Sequence, residues 1–200
     1  MPRPTEAAAP GGRRRDVLRN EARIVAAATH LLADEPEATM QDLADAAGLG
    51  RATVYRHFPT REALLEAIGR AAIDEIGSAL AGERLHEGDP VAALGRVVEV
   101  IFVVGDRYRV IAEGPPAGKT AEMHARAAAA FGPVEALIRR AQGEGALAAD
   151  VPAEWIVAAT GALIATGFRQ VAAGTVGRDD VPGLVVRTLL RGFAGGRAGG

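Results

Sequence analysis

The stretch from Thr39 to Leu65 constrains this chain more than any other. Two short runs with apolar residues at helical spacing are separated by Gly48 and closed by Phe58 and Pro59. A third, longer run begins at Thr60. A glycine in that place can take the left-handed conformation that ends one helix and turns the chain into the next. Thr39 predicts an N-cap for the first helix, with Asp42 at the third helical position, where a carboxylate favours the helix start. The second helix covers residues 51–57, and Gly50 before it predicts a weak cap. Leu43, Ala47, Leu49, Val54 and Phe58 form a small apolar set, and Ala44 is small enough for a close helix crossing. Opposite Val54 lie Ala52 and Arg56, with Thr53 and Tyr55 on the flanks and Arg51 at the helix start. The pattern is that of a helix-turn-helix. An ordinary helical hairpin with a polar face has the same spacing.

The rest of the chain reads as all-α, with about nine helices and no internal repeat. From Arg15 to Asp34, Leu18, Val25 and Leu32 recur every seven residues, as do Val17, Ile24 and Leu31. Thr60 predicts the cap of a long helix reaching about Ala81, with Leu64, Ile68, Ala72, Ile76 and Leu80 stepping by four. Residues 91–108 contain the β-branched run VVEVIFVV, for which a strand competes with a helix; the stripe through Val91, Leu94, Val98, Ile101 and Tyr108 favours the helix. Two helices are expected on either side of Pro133, one over 120–131 and one over 133–142. Asp150 is the expected cap of a small-residue helix, and Asp179 or Asp180 that of the last one. The expected domains are 1–14, a disordered basic arm; 15–62, the helix-turn-helix domain; 63–194, a larger helical domain; and 195–200, a flexible tail.

Net charge is −2, so any polyanion-binding face has to be local. Arg13, Arg14, Arg15, Arg19 and Arg23 face only Asp16 and Glu21 in their segment, and Arg51, Arg56 and Arg61 form a second basic group. Either group alone suits a solvated helix face better than a polyanion site. The absence of cysteine excludes disulfides, zinc-thiolate sites and thiol catalysis. The four histidines lack metal-ligand spacing, so no metal or other cofactor is expected. Ser78, the single serine, lacks the glycines of a nucleophile elbow. No signal peptide and no membrane span are read, which predicts a cytoplasmic protein. The segment EGPPAGKT imitates a phosphate-binding loop through Gly118, Lys119 and Thr120. Its first glycine position holds Glu113, a carboxylate where phosphate has to approach.

The segment TMQDLADAAGLGRATVYRHFPTREALLEAI, residues 39–68, resembles the DNA-binding region of TetR/AcrR-type transcriptional regulators, through Ala44, Gly48, Thr53, Tyr55, His57 and Phe58. AQGEGALAADVPAEW and LVVRTLLRGFAG are similar to that family's C-terminal segments. The resemblance implies a homodimer that places one recognition helix of each subunit in the major groove of a palindromic operator. It implies a four-helix dimer interface from the last two helices and a small-molecule pocket whose occupation lowers DNA affinity, so that the chain would be a repressor and not an enzyme. By position, base contacts fall on Gln41, Arg51 and Ala52, and phosphate contacts on Thr39, Thr53, Tyr55, His57 and Arg61. Arg13, Arg14 and Arg15 match a basic N-terminal arm.

For the pocket, Phe102, Tyr108, Met123, His124, Phe131, Trp155 and Phe168 are the bulky or adaptable residues of the middle helices, and each also suits plain core. Trp155 and His124 stand out because each joins an apolar body to a polar handle. Few charges accompany them, which favours a mostly apolar ligand. The alternatives are a helical ligand-binding protein without DNA binding, and a nucleotide-binding enzyme using Gly118, Lys119 and Thr120.

Overall fold

The computed structural model describes residues 10–113 and 120–194. Among them the chain is helical throughout: α1 (Pro10–Asp34), α2 (Met40–Ala46), α3 (Arg51–His57), α4 (Arg61–Ala81), α5 (Pro90–Arg107), α6 (Arg109–Glu113), α7 (Ala121–Gly143), α8 (Ala153–Ala172) and α9 (Val181–Gly192), with a 3₁₀ turn over Arg178–Asp180. Two compact units divide inside α4, between Ile68 and Gly69.

The first unit closes over a core of Ile24, Ala28 and Leu32 from α1, Leu43, Ala44 and Ala47 from α2 and its cap, Val54 and Phe58 around α3, and Leu64 and Ile68 from α4. The apolar stripe of α1 is buried only in its later turns. Val17 and Leu18 are 40% and 57% exposed. At about 1.5 Å per residue, α1 runs roughly 37 Å, whereas α2 and α3 span roughly 10 Å each and cannot cover its start. That helix begins at Pro10, so residues 10–14, expected to be disordered, belong to it; residues 1–9 and the 195–200 tail lie outside the described residues.

The second unit is built around α5. Ala93, Leu94, Val97, Val98 and Phe102 meet Val134, Leu137 and Ile138 of α7, Ile156, Ile164 and Phe168 of α8, and Val181, Val185 and Leu189 of α9. The β-branched run is therefore a helix: the i, i+3, i+4 burial of Leu94, Val97 and Val98 outweighs intrinsic strand preference. Its start is fixed by Asp89, which accepts from the Ala92 N–H at 2.8 Å, and by Pro90 at the first turn.

Two expectations for this unit are corrected. Pro133 does not divide α7; it lies inside one continuous helix. Pro133 and Ala129, whose carbonyl it leaves without a partner, are both exposed, so that carbonyl lies on the wet side while the buried downstream face carries the helix onward. Asp150 does not cap α8. That helix starts at Ala153 behind Pro152, which disfavours helical geometry at Val151, and Gln142 fixes the approach by donating to the Ala148 and Val151 carbonyls, both at 2.7 Å. Asp180 stands at the α9 N-cap position but makes no side-chain cap bond.

By length and composition α8 is the one helix among the described residues that could cross a membrane. Its buried residues Ile156, Thr160, Ile164, Gly167 and Phe168 pack in the helical core. At Gly167 a Cβ would stand 2.3 Å from Cγ1 of Val181 on α9. Val181 is β-branched, buried and helical, with little rotamer freedom to yield. Gly167→Ala is therefore expected to destabilise the fold by about 1–3 kcal/mol in urea unfolding, despite the better helix propensity of alanine; an unchanged midpoint would contradict this close crossing.

Candidate nucleic-acid interface

The surface built by α2 and α3 is set from its ends. Thr39 accepts from the Asp42 N–H at 3.3 Å, while the Asp42 carboxylate accepts from the Thr39 N–H at 2.8 Å and from its hydroxyl at 2.7 Å. This reciprocal capping box fixes the first turn of α2. The Thr39 hydroxyl, and then its backbone N–H, hold the Asp42 carboxyl below the usual carboxylate range.

At the other end of α2 the chain reverses at Gly48, whose φ of 61° lies in the left-handed region. The Gly48 N–H donates to Asp45 (2.9 Å) and the Leu49 N–H to Ala44 (3.0 Å). Arg23 of α1 reaches the Gly48 carbonyl at 3.4 Å, and a Cβ on Gly48 would stand 2.7 Å from its Nη2. Glycine is needed here for the backbone conformation; the Arg23 head, at the end of a flexible side chain, could shift away from a Cβ. Gly50 leads into α3 with no side-chain cap.

Val54 anchors α3 in the core. Arg51, Ala52 and Arg56 are exposed, while Thr53 and Tyr55 are half-buried at the flanks. The Arg51 guanidinium lies over the Tyr55 ring, 5.2 Å from its centroid, which limits the rotamers of both. On the exposed start of α2, Gln41 donates to Asp45 Oδ1 at 2.9 Å. Thr39, Gln41, Arg51, Ala52, Thr53 and Tyr55 thus flank one helix-turn-helix. Arg56 belongs with Ala52 on the exposed face, a position the helical wheel gives although it was not among the expected contacts.

Two of the expected phosphate contacts are engaged elsewhere. The His57 side chain is only 5% exposed and its Nδ1 lies 3.4 Å from Glu21 of α1. Arg61 donates to the Ala38 and Pro36 carbonyls and so clamps the segment that leads into α2. Both tie the unit together through these contacts. Arg23 and Glu21, which support the turn and α3 from α1, carried no sequence signal: each is one charge among many in a helix. Arg15 is exposed on α1, and the side chains of Arg13 and Arg14 lie outside the described ones.

In the second unit the Phe102 and Phe168 rings stack at 5.0 Å in the core. Tyr108 donates to Glu75 at 2.7 Å, and Arg107 pairs with the same carboxylate. Burial first, then the hydrogen bond and charge of Glu75, push the Tyr108 phenol up to about 12. Met123 and Phe131 are half-buried. Trp155, 65% exposed, and His124, exposed with Nδ1 3.1 Å from the Thr120 carbonyl, lie on the surface of the chain and not in its interior. Neither of two clefts, of about 390 and 400 Å³, is lined by any of these seven residues. Gly118 and Lys119 fall outside the described residues; Thr120 caps α7 by accepting from the Met123 N–H at 3.2 Å. Among the described residues no group of three or more histidines and carboxylates could hold a metal ion.

Residues 24–68 match the sequence profile of bacterial regulatory proteins of the tetR family. The HTH-type transcriptional repressor LfrR of Mycolicibacterium smegmatis is 45% identical over 76 residues, 38% of this chain and 40% of that one. The HTH-type transcriptional regulator NfxB of Pseudomonas aeruginosa is 29% identical over 86 residues, 42% and 44% of the two chains. These matches span less than half the length of either relative. The crystal structure of LfrR in complex with proflavine superposes with a TM-score of 0.71 at 28% identity, covering 88% of this chain and 97% of that one.

Residues 24–68 are a tetR-family segment.

Both named relatives are regulators of transcription.

Two outcomes follow from the geometry of the interface. Thr39→Ala removes the cap and is expected to cost about 1 kcal/mol of stability, read from urea unfolding monitored by circular dichroism. The lowered Asp42 pKa contributes stability above the ordinary carboxylate range that is lost as pH falls through its folded value. Asp42→Asn should therefore flatten the acid limb of the unfolding profile; an unchanged limb would remove the capping box from this account.

Proposed function

We propose that the chain is a homodimeric, ligand-responsive transcriptional repressor that reads a palindromic operator with α3 in the major groove. The observation that carries this reading is the exposed face Arg51–Ala52–Arg56, with Thr53 and Tyr55 at its flanks, presented by a capped, glycine-turned helix pair. Arg51 would read a guanine, Ala52 would offer a methyl contact, and Gln41 would reach the groove from the start of α2. Thr39, Thr53 and Tyr55 would fix the register on phosphates, with the basic turns of α1, Arg13 to Arg15, following the backbone. The charge of −2 leaves this local basic surface as the source of attraction.

Dimerisation would use α8 and α9. Most of the apolar length of α8 is not buried within the chain, and Trp155 and Leu184 are large apolar side chains left 65% and 40% exposed. That face explains Trp155 better than a pocket does. The effector would be a small, mostly apolar, planar aromatic molecule: the structure of LfrR, similar over 97% of its length, holds proflavine. Tyr108, Met123 and Phe131 are the half-buried residues of the second unit best suited to line its site. Effector binding would favour a conformation whose recognition helices are wrongly spaced for the two half-sites.

The test is fluorescence anisotropy on a duplex that the protein binds. Tyr55→Phe keeps the platform for Arg51 and is expected to weaken binding to all sequences alike, by about 0.5–1.5 kcal/mol. Arg51→Ala is expected to lose about 1–3 kcal/mol of discrimination at one base pair of each half-site. Proflavine is expected to release the duplex. An Arg51→Ala protein with unchanged sequence preference would overturn the base-reading assignment.

A further inference from the structure

The connection between α4 and α5, residues 82–89, packs against α7 and lines with it an open cleft of about 390 Å³. This lies within the size range of small-molecule sites. Its apolar lining comes from Leu80, Leu85, Ala136 and Leu137, and its cationic lining from Arg84, His86 and Arg140. None of the residues assigned above to DNA, dimer or effector takes part.

The Arg140 guanidinium holds the connection in place. It donates to the carbonyls of His86 and Gly88, both at 3.0 Å, and of Leu85 at 3.1 Å. These partners are neutral, so a full positive charge stands half-buried beside apolar surface with carbonyl dipoles, not a carboxylate, as its partners. Its Nε is buried without a hydrogen-bond partner. Arg84 is the one non-glycine with positive φ among the described residues, at 46°. Glycine would occupy that backbone conformation without strain, yet the position holds a guanidinium that lines the cleft. The neighbouring acids do not neutralise this lining. Glu87 lies 3.6 Å from both Arg84 and His86 in exposed pairs, which are weak, and Glu83 is engaged by Arg96 at 3.2 Å.

We infer that this cleft is a second ligand site, distinct from the effector site, for a small amphiphilic carboxylate: its hydrocarbon body lies on Leu80, Leu85, Ala136 and Leu137, and its anionic head meets Arg84 in the field of Arg140. An apolar cleft with excess positive charge selects for an anion with a hydrocarbon body and against the cation of equal length.

Isothermal titration of the full chain with decanoate, and with decyltrimethylammonium as the cation of matching chain length, tests this. Decanoate is expected to bind once per chain, and the cation at least roughly ten-fold more weakly. Arg84→Gly relaxes the left-handed position, so the fold is retained, and is expected to weaken decanoate binding roughly five-fold. Ala136→Trp fills the cleft and is expected to abolish it, with helicity and melting checked by circular dichroism. If Ala136→Trp fails to fold, Arg84→Gly still decides. The inference is overturned if decanoate does not bind, if the two amphiphiles bind alike, or if Arg84→Gly binds as the parent does. Proflavine binding is expected to be the same in parent and Arg84→Gly; failure of proflavine to bind either protein counts against the effector reading and not against this site.

Discussion

The reversal at Gly48 is the constraint on which the first unit depends. Only with φ in the left-handed region can the Leu49 N–H return to the Ala44 carbonyl, and α3 then follows α2 with Val54 buried. A side chain at that position would be strained by the backbone conformation itself. The outward face of α3 follows from the inward one. With Val54 fully buried, helical geometry turns Ala52 and Arg56 to the outside. The interface is thus the exposed complement of a very small core, which is why its supports come from α1: Arg23 on the turn and Glu21 on His57.

Much of this was legible in the sequence because it is local chemistry. Thr39, Asp42, Gly48 and Thr60 act within a few residues of where they stand, and each does what its side chain or lack of one predicts. What escaped depends on distant partners. His57 and Arg61 look like donors awaiting phosphate; that one faces Glu21 and the other clamps Pro36 and Ala38 is decided by residues more than twenty positions away. Pro133 reads as a break because the local cost of proline is visible in sequence, whereas the packing of Val134, Leu137 and Ile138 that carries α7 through it is not. About nine helices were expected and nine α-helices are described, although the agreement hides two opposite errors: the joined α7 and the short α6, Arg109–Glu113, which was not foreseen.

The second unit distributes its charges differently. Asp74 and Glu75, adjacent on α4, are taken up by Arg126 at 2.7 Å and by Arg107 with Tyr108, while Asp106 at the end of α5 holds Arg178 at 2.9 Å over the Phe102 ring. These carboxylates have cationic partners, and the guanidiniums gain from them in turn: hydrogen bonds to Asp74 and to Asp106 raise the pKa values of Arg126 and Arg178. Against that background Arg140, whose partners are carbonyls alone, stands apart. The small residues of α8 make a second contrast, since Gly167 admits Val181 while Trp155, near the start of the same helix, is left exposed.

The central claim is that α3 reads DNA as one of a symmetric pair. The most direct test is selection of binding sites from a random duplex library by the purified full chain, with the winning sequence remeasured at several salt concentrations. The account predicts a palindromic winner with half-site centres about one helical turn, roughly 34–36 Å, apart, and an affinity that falls steeply with salt because binding releases counterions condensed on the phosphates. No enrichment at low salt from a folded protein, or a winner without two-fold symmetry, would contradict it.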